Sequence, residues 1–151
     1  MAEVESALAA RGVPSLDAAA WDARRIAAAW PTDAVDLGPD DLALFSERLL
    51  ATVSWTKGCF LGQEVFVMAR DRGEVPKRLR GIEVAPGESL GRGEKILSED
   101  GKVVGSVGSS AGSLGLALVK RKHADGGSPL HLEDGRRATV VVLPRTVSGE
   151  A

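Results

Sequence analysis

Two hydrophobic periods divide this chain near residue 76. In the first part, Leu16, Ala19, Ala20, Ala23, Ile26, Ala27 and Trp30 recur at three- and four-residue intervals. That spacing predicts an amphipathic helix over 15–29, with Ser15 as N-cap and Pro31 as stop. A shorter helical segment, 3–11, closes at Gly12, a residue suited to the left-handed conformation at a helix C-terminus. Gly38-Pro39-Asp40-Asp41 predicts a further helix over 39–51, its proline in the first turn and its carboxylates at the positive end of the helix dipole. The apolar stretch Ala51-Thr52-Val53-Ser54-Trp55 reads as a buried strand or extended segment, and Gln63 to Arg70 as a helix leaving directly from Gly62.

From Lys77 onward the period changes to two. Leu79, Gly81 and Glu83 alternate with Arg80, Ile82 and Val84, and Gly, Pro and Asp clusters punctuate the rest. Strands are expected at 77–84, 94–98, 102–109, 114–119, 129–132 and 137–143. Asp100-Gly101 and Asp134-Gly135 are the dipeptides that close tight hairpins. Short antiparallel strands so spaced suggest a small closed barrel, which leaves no sheet edge exposed. Its expected core is Leu79, Ile96, Val103, Leu116, Leu118, Val140 and Val142. The fold class is therefore α+β: an N-terminal helical segment, then a small six-stranded antiparallel barrel. The domain reading is 1–76, 77–146 and a flexible tail over 147–151.

Composition sharpens this picture. The 18 glycines among 151 residues crowd the second half, where turns between short strands need them. The net charge of −2 hides an asymmetry, residues 1–56 holding an acidic excess and residues 57–151 a basic one. The basic excess is too small to mark a nucleic-acid-binding domain. With one cysteine no intrachain disulfide forms, which points to a reducing, cytoplasmic setting. Neither a signal peptide nor a membrane-spanning stretch is expected.

The chemistry concentrates in Lys57-Gly58-Cys59-Phe60-Leu61-Gly62-Gln63-Glu64. A thiol at Cys59 would lie between a lysine ammonium, Lys57, and the start of a helix, and both favour thiolate over thiol. Gly58 and Gly62 permit close backbone approach or a positive φ. Cys59 is thus a candidate reactive thiol, or alternatively a small buried apolar side chain beside two turn glycines. The two histidines, His123 and His131, fall within the expected barrel region, so neither a Cys–His pair nor a four-ligand zinc site can be assembled. His131, between Leu130 and Leu132, reads as an outward-facing strand residue.

This octapeptide resembles the signature of the YgfZ-type folate-binding proteins, relatives of the glycine-cleavage T-protein, with Phe60 where tyrosine is usual. The resemblance continues through Arg70, Arg72 and the basic link Lys77-Arg78-Leu79-Arg80 into the barrel. Upstream, Arg25-Ile26-Ala27-Ala28-Ala29-Trp30-Pro31 resembles a segment shared with the T-protein, Ala27 replacing a glutamate. The likeness implies the C-terminal portion of a tetrahydrofolate-binding accessory protein for iron–sulfur cluster assembly or repair. In that reading Cys59 is the working thiol and Lys57 its activator. Gly58, Phe60, Gly62, Gln63 and Glu64 shape the loop, while Arg25, Arg70 and Arg72 are candidate cofactor contacts. It implies no resident metal. The expected partners are iron–sulfur client enzymes, and an N-terminal folate-domain polypeptide or a second copy of the chain that completes the folate cavity. The alternatives are a folate-dependent aminomethyltransferase and a non-catalytic interaction module.

Overall fold

The computed structural model describes residues 2–72 and 75–144, the side chains of 2 and 69–72 excepted. Six strands lie where the alternation puts them: β1 (Lys77–Glu83), β2 (Lys95–Leu97), β3 (Val103–Ala111), β4 (Leu114–Lys120), β5 (Pro129–Leu132) and β6 (Arg137–Val141). They close into an antiparallel barrel in the order β1-β4-β3-β2-β5-β6, β1 completing the ring by pairing Gly81 with Val141 and Ile82 with Val140. Both expected hairpin turns form, and Gly101 and Gly135 adopt φ of 74° and 85°, a region that strains other residues. Gly81 is required for a different reason: a Cβ there would lie 2.6 Å from the Val141 side chain.

The barrel interior is filled by Ile82, Ile96, Leu130, Leu132 and Val140, each at most 1% exposed, together with Val104, Val107, Ala117 and Val119. Burial of a side chain of this size contributes about 1.5–3 kcal/mol. His131, between the inward Leu130 and Leu132, faces the other way. Part of the expected core is placed differently. Val103 and Val142 are half exposed, and Val104 goes inside instead, because Ile96 pairs with Gly105 while Leu97 pairs with Val103. That bulge breaks strict alternation. Leu79, Leu116 and Leu118 belong to a second layer on the outer face of β1 and β4, under the fully buried Ile26 of a helix.

That helix, α2 (Ala18–Ala27), is shorter than expected. Asp17, not Ser15, caps it, its Oδ1 accepting the Ala20 N–H at 2.7 Å. At the other end Ala29 takes φ of 56°, and Trp30 N–H donates back to the Arg25 carbonyl. The preceding α1 (Ala2–Ala10) presents only exposed side chains among its described residues.

The expected helix over 39–51 is replaced by two short pieces. Asp41 spends its carboxylate on the Gly38 N–H at 3.0 Å and on Lys77, which holds 38–41 as a turn. A 3-10 turn follows at Ala43–Phe45, and Ser46 then caps α3 (Glu47–Leu50) through the Leu49 N–H. Residues 51–55 are also not a buried strand: Thr52 and Val53 prolong the turn of α3, and only Val53 is even half buried. The last helix, α4 (Gln63–Arg72), docks through Phe66 onto Leu37, Leu44 and Phe45, the third apolar cluster.

Candidate functional site

Gly62 has φ of 82°, and this sharp turn launches α4 out of the motif loop. Just before it, Gln63 Oε1 accepts the Phe60 backbone N–H at 3.1 Å, which fixes the loop against the first helical turn. Phe60 is half buried, its ring 6.1 Å from that of Phe66 in an edge-to-face arrangement. The Lys57 ammonium lies 4.5 Å from the centre of the Phe60 ring, a cation–π contact. These contacts pin the residues on either side of Cys59 while the cysteine itself stands exposed as a free thiol. The buried apolar alternative for this residue is thereby excluded. Glu64 is exposed in the first turn of α4, where its charge opposes the positive helix end.

Next to the thiol the surface is apolar. Leu61 is fully exposed, and Val65 and Met68 continue the stripe along α4 at 43% and 50% exposure. The sequence reading gave this segment only as a helix and did not separate its faces, of which one sends Phe66 inward and the other leaves Val65 and Met68 in solvent.

Arg25 takes a structural position. Its Nε donates to Asp22 at 2.6 Å, one terminal nitrogen to Asp36 and to the Trp30 carbonyl, and the other to Ser109 at 2.7 Å. Asp36 is the hub: it also accepts from the Thr32 N–H, the Ser109 N–H and the Ser109 hydroxyl. The Ser109 N–H is free to donate because β3 bulges between Val107 and Ser110, and Gly108 lets the 35–36 backbone press against the strand. This cluster fastens the N-terminal segment to the barrel and commits the Arg25 guanidinium to the fold. The folate contact expected of Arg25 would have to break these bonds. Asp36 and Ser109 escaped the sequence reading because a bulge leaves no mark in an alternating pattern.

The basic link is likewise tied down. Arg78 and Arg80 both donate to Glu47 Oε1, at 2.8 and 2.9 Å, and Arg80 also reaches the Ala124 carbonyl. The hydrogen bond from Arg80, followed by that from Arg78, holds the Glu47 carboxyl below its usual range. Arg70 and Arg72 close α4, and their side chains lie outside the described residues. Among the described residues no group of His, Cys, Asp and Glu could hold a metal ion, and no helix is long and apolar enough to cross a membrane.

The glycine cleavage system aminomethyltransferase T from Bartonella henselae superposes on this fold with a TM-score of 0.80 at 21% identity, covering 95% of this chain and 42% of that one. The fold is T-protein-like. Within this T-protein-like chain, residues 77–146 match the C-terminal beta-barrel domain of CAF17. Two curated relatives carry the name iron-sulfur cluster assembly factor IBA57, mitochondrial. The Homo sapiens protein is 34% identical over 110 residues, 69% of this chain and 30% of the relative. The Mus musculus protein is 30% identical over 94 residues, 60% of this chain and 26% of the relative. The chain thus spans less than a third of the length of these relatives.

Proposed function

We propose that this chain works in iron–sulfur cluster assembly or repair as a T-protein-like accessory protein, with Cys59 as its working thiol. The observation that carries the proposal is the exposure of Cys59 on a loop held at both sides, by the Gln63 bond to Phe60 and the Lys57 contact with its ring. A structural cysteine belongs in the core; one presented to solvent on a pinned loop is suited to meet a partner. The relatives named as iron–sulfur cluster assembly factors supply the pathway. The finer YgfZ-type assignment rests on the octapeptide from Lys57 to Glu64. Lys57 and Glu64 are read as charges flanking the thiol, and Gly58 and Gly62 as the loop's conformational hinges.

Tetrahydrofolate is the cofactor this reading implies for the assembled protein. The described residues do not form a folate cradle by themselves, since Arg25 is spent on Asp22, Asp36 and Ser109. No folate step is assigned to this chain. The folate site belongs instead to an N-terminal folate-domain polypeptide or a second copy, seated on the apolar stripe of Leu61, Val65 and Met68. Residues 1–76 then act as the adaptor that carries the motif loop, and 77–146 as the barrel on which it is built. The tail, 147–151, lies outside the described residues. The single cysteine suits a reducing compartment, for which this reading takes the cytoplasm, while the relatives are named mitochondrial.

The second reading, a folate-dependent aminomethyltransferase, draws on the structural neighbour alone. The experiment that separates them uses cells lacking the native protein, complemented with wild type or Cys59→Ser. The activity of an iron–sulfur enzyme should recover with wild type and not with the variant. Equal recovery by both would remove Cys59 from the mechanism, and Cys59-independent aminomethyl transfer by the purified protein would favour the second reading.

A further inference from the structure

The first helix, α1, buries none of its described side chains, and its two large apolar ones, Val4 and Leu8, are 61% and 44% exposed. A helix of 9 residues is too short to hold in water by propensity alone and draws its stability from packing one face. Val4 and Leu8 lie one turn apart on such a face, and Ala7 leaves a notch beside them. Glu3, Val4, Ala7, Leu8 and Arg11 together line this strip, a concave volume of about 270 Å³.

The charges of the strip specify what covers it. Glu3 stands in the first turn, where a carboxylate complements the positive helix end, and Arg11 lies directly past the last turn, where a cation complements the negative end. The two are about 12 Å apart along the axis. Arg11 has a fixed backbone, since its N–H bonds the Leu8 carbonyl at 3.0 Å, the Val13 N–H reaches the same carbonyl at 3.1 Å, and Gly12 closes the helix at φ of 72°. From end to end the strip therefore reads acidic, apolar, basic. Its match must read basic, apolar, acidic, and the same helix run antiparallel has that order. A two-fold axis at Ala7 sets Glu3 opposite the second copy's Arg11 at both ends of the contact. A parallel pairing would set like charges together, so the charges also select the orientation.

We infer that α1 is a docking strip for a second copy of this chain. The two helices pack antiparallel, Val4 and Leu8 of each filling the notch at the second copy's Ala7. One short helical face buries well below the roughly 1,000 Å² of a stable interface, so the pairing is weak, with a dissociation constant on the order of 100 μM. At low micromolar concentration it is nearly unpopulated, which separates it from association through the stripe of Leu61, Val65 and Met68.

The test uses the full chain carrying Leu61→Gln, Val65→Gln and Met68→Gln, so that α1 alone is read. Sedimentation equilibrium between about 20 and about 500 μM should show a reversible dimer. Val4→Gln with Leu8→Gln should weaken it by about tenfold or more. Glu3→Arg and Arg11→Glu should each weaken it by about threefold. An equimolar mixture of these two charge variants should associate more tightly than either alone, because every facing pair is then opposite in sign. In a Cys59→Ser background, Ala7→Cys should cross-link two copies under oxidised glutathione much faster than Ser6→Cys, which lies outside the strip. A chain that stays monomeric at about 500 μM, a mixture no tighter than its components, or equal cross-linking from the two cysteine variants would overturn the assignment.

Discussion

Asp36 shows what a single side chain does here. Its carboxylate is fully buried and accepts from two backbone N–H groups, a hydroxyl and the Arg25 guanidinium. Asp36→Ala would strand Arg25, 9% exposed, beside an empty acceptor and leave the Ser109 N–H unsatisfied in the bulge. Removing one partner of a buried pair costs about 3–5 kcal/mol, and urea denaturation should show a loss of that size. A loss below about 1 kcal/mol would mean that water replaces the carboxylate at this junction. Ala29 offers the opposite case. It holds φ of 56° at the end of α2, a conformation that glycine takes without strain. Ala29→Gly should stabilise the protein by about 0.5–1 kcal/mol, the relieved strain exceeding the entropy that glycine adds to the unfolded chain. The same denaturation experiment reads this gain, and a loss instead would contradict the C-terminal geometry of α2.

Among the elements, the β2–β3 hairpin depends on pH. Its Asp100 carboxylate accepts from the Lys102 ammonium at 2.6 Å and from the Ser98 hydroxyl, and these bonds, the lysine's first, hold its pKa down to about 2 from an ordinary 3.8. Because the folded value is the lower one, the contribution is present above pH 3.8 and is lost as pH falls toward about 2. NMR titration of the Asp100 carboxyl should give a midpoint near the lower value. In Asp100→Asn the acid-side loss of hairpin stability should shrink, and an unchanged acid profile would place the sensitivity elsewhere. The hairpin was readable from Asp100-Gly101, as were all six strands, because hydrophobic alternation and turn dipeptides act locally. The N-terminal elements were harder. Pro39-Asp40-Asp41 carries every local mark of a helix start, yet Asp41 is drawn to Gly38 and to Lys77, a residue far along the chain. Ser15 and Asp17 compete for one cap, and the geometry that seats Ile26 on the barrel selects Asp17. At the candidate site the motif loop and the helix after Gly62 were legible. The exposed face of that helix was not, because periodicity reports which residues are apolar and not which of them have a partner.

At the scale of the molecule, one stretch of exposed apolar surface flanks the motif loop, while others, such as Val4, Leu8 and Trp21, lie along the first two helices. Leu61 stands wholly in solvent two residues after Cys59, Val65 and Met68 follow on α4, and Trp55 is 43% exposed on the other side of the loop. Phe66 of α4 already packs on Leu37, Leu44 and Phe45, so turning the helix to bury the stripe would pull Phe66 from that cluster. An apolar stripe beside the one exposed thiol is the expected form of a surface that a second polypeptide covers while bringing its own groups to the thiol. Sedimentation velocity at low micromolar concentration should therefore show association, either of the chain with itself or with a T-protein-like N-terminal folate domain. Replacing Leu61, Val65 and Met68 together by glutamine should abolish that association while leaving the melting temperature of the barrel unchanged, since none of the three side chains enters its core. Association should also slow alkylation of Cys59 in the wild type, because a partner on the stripe overhangs the neighbouring thiol. A chain that sediments as a monomer both alone and with the folate domain, with Cys59 alkylated equally fast in each case, would leave the stripe without its proposed occupant.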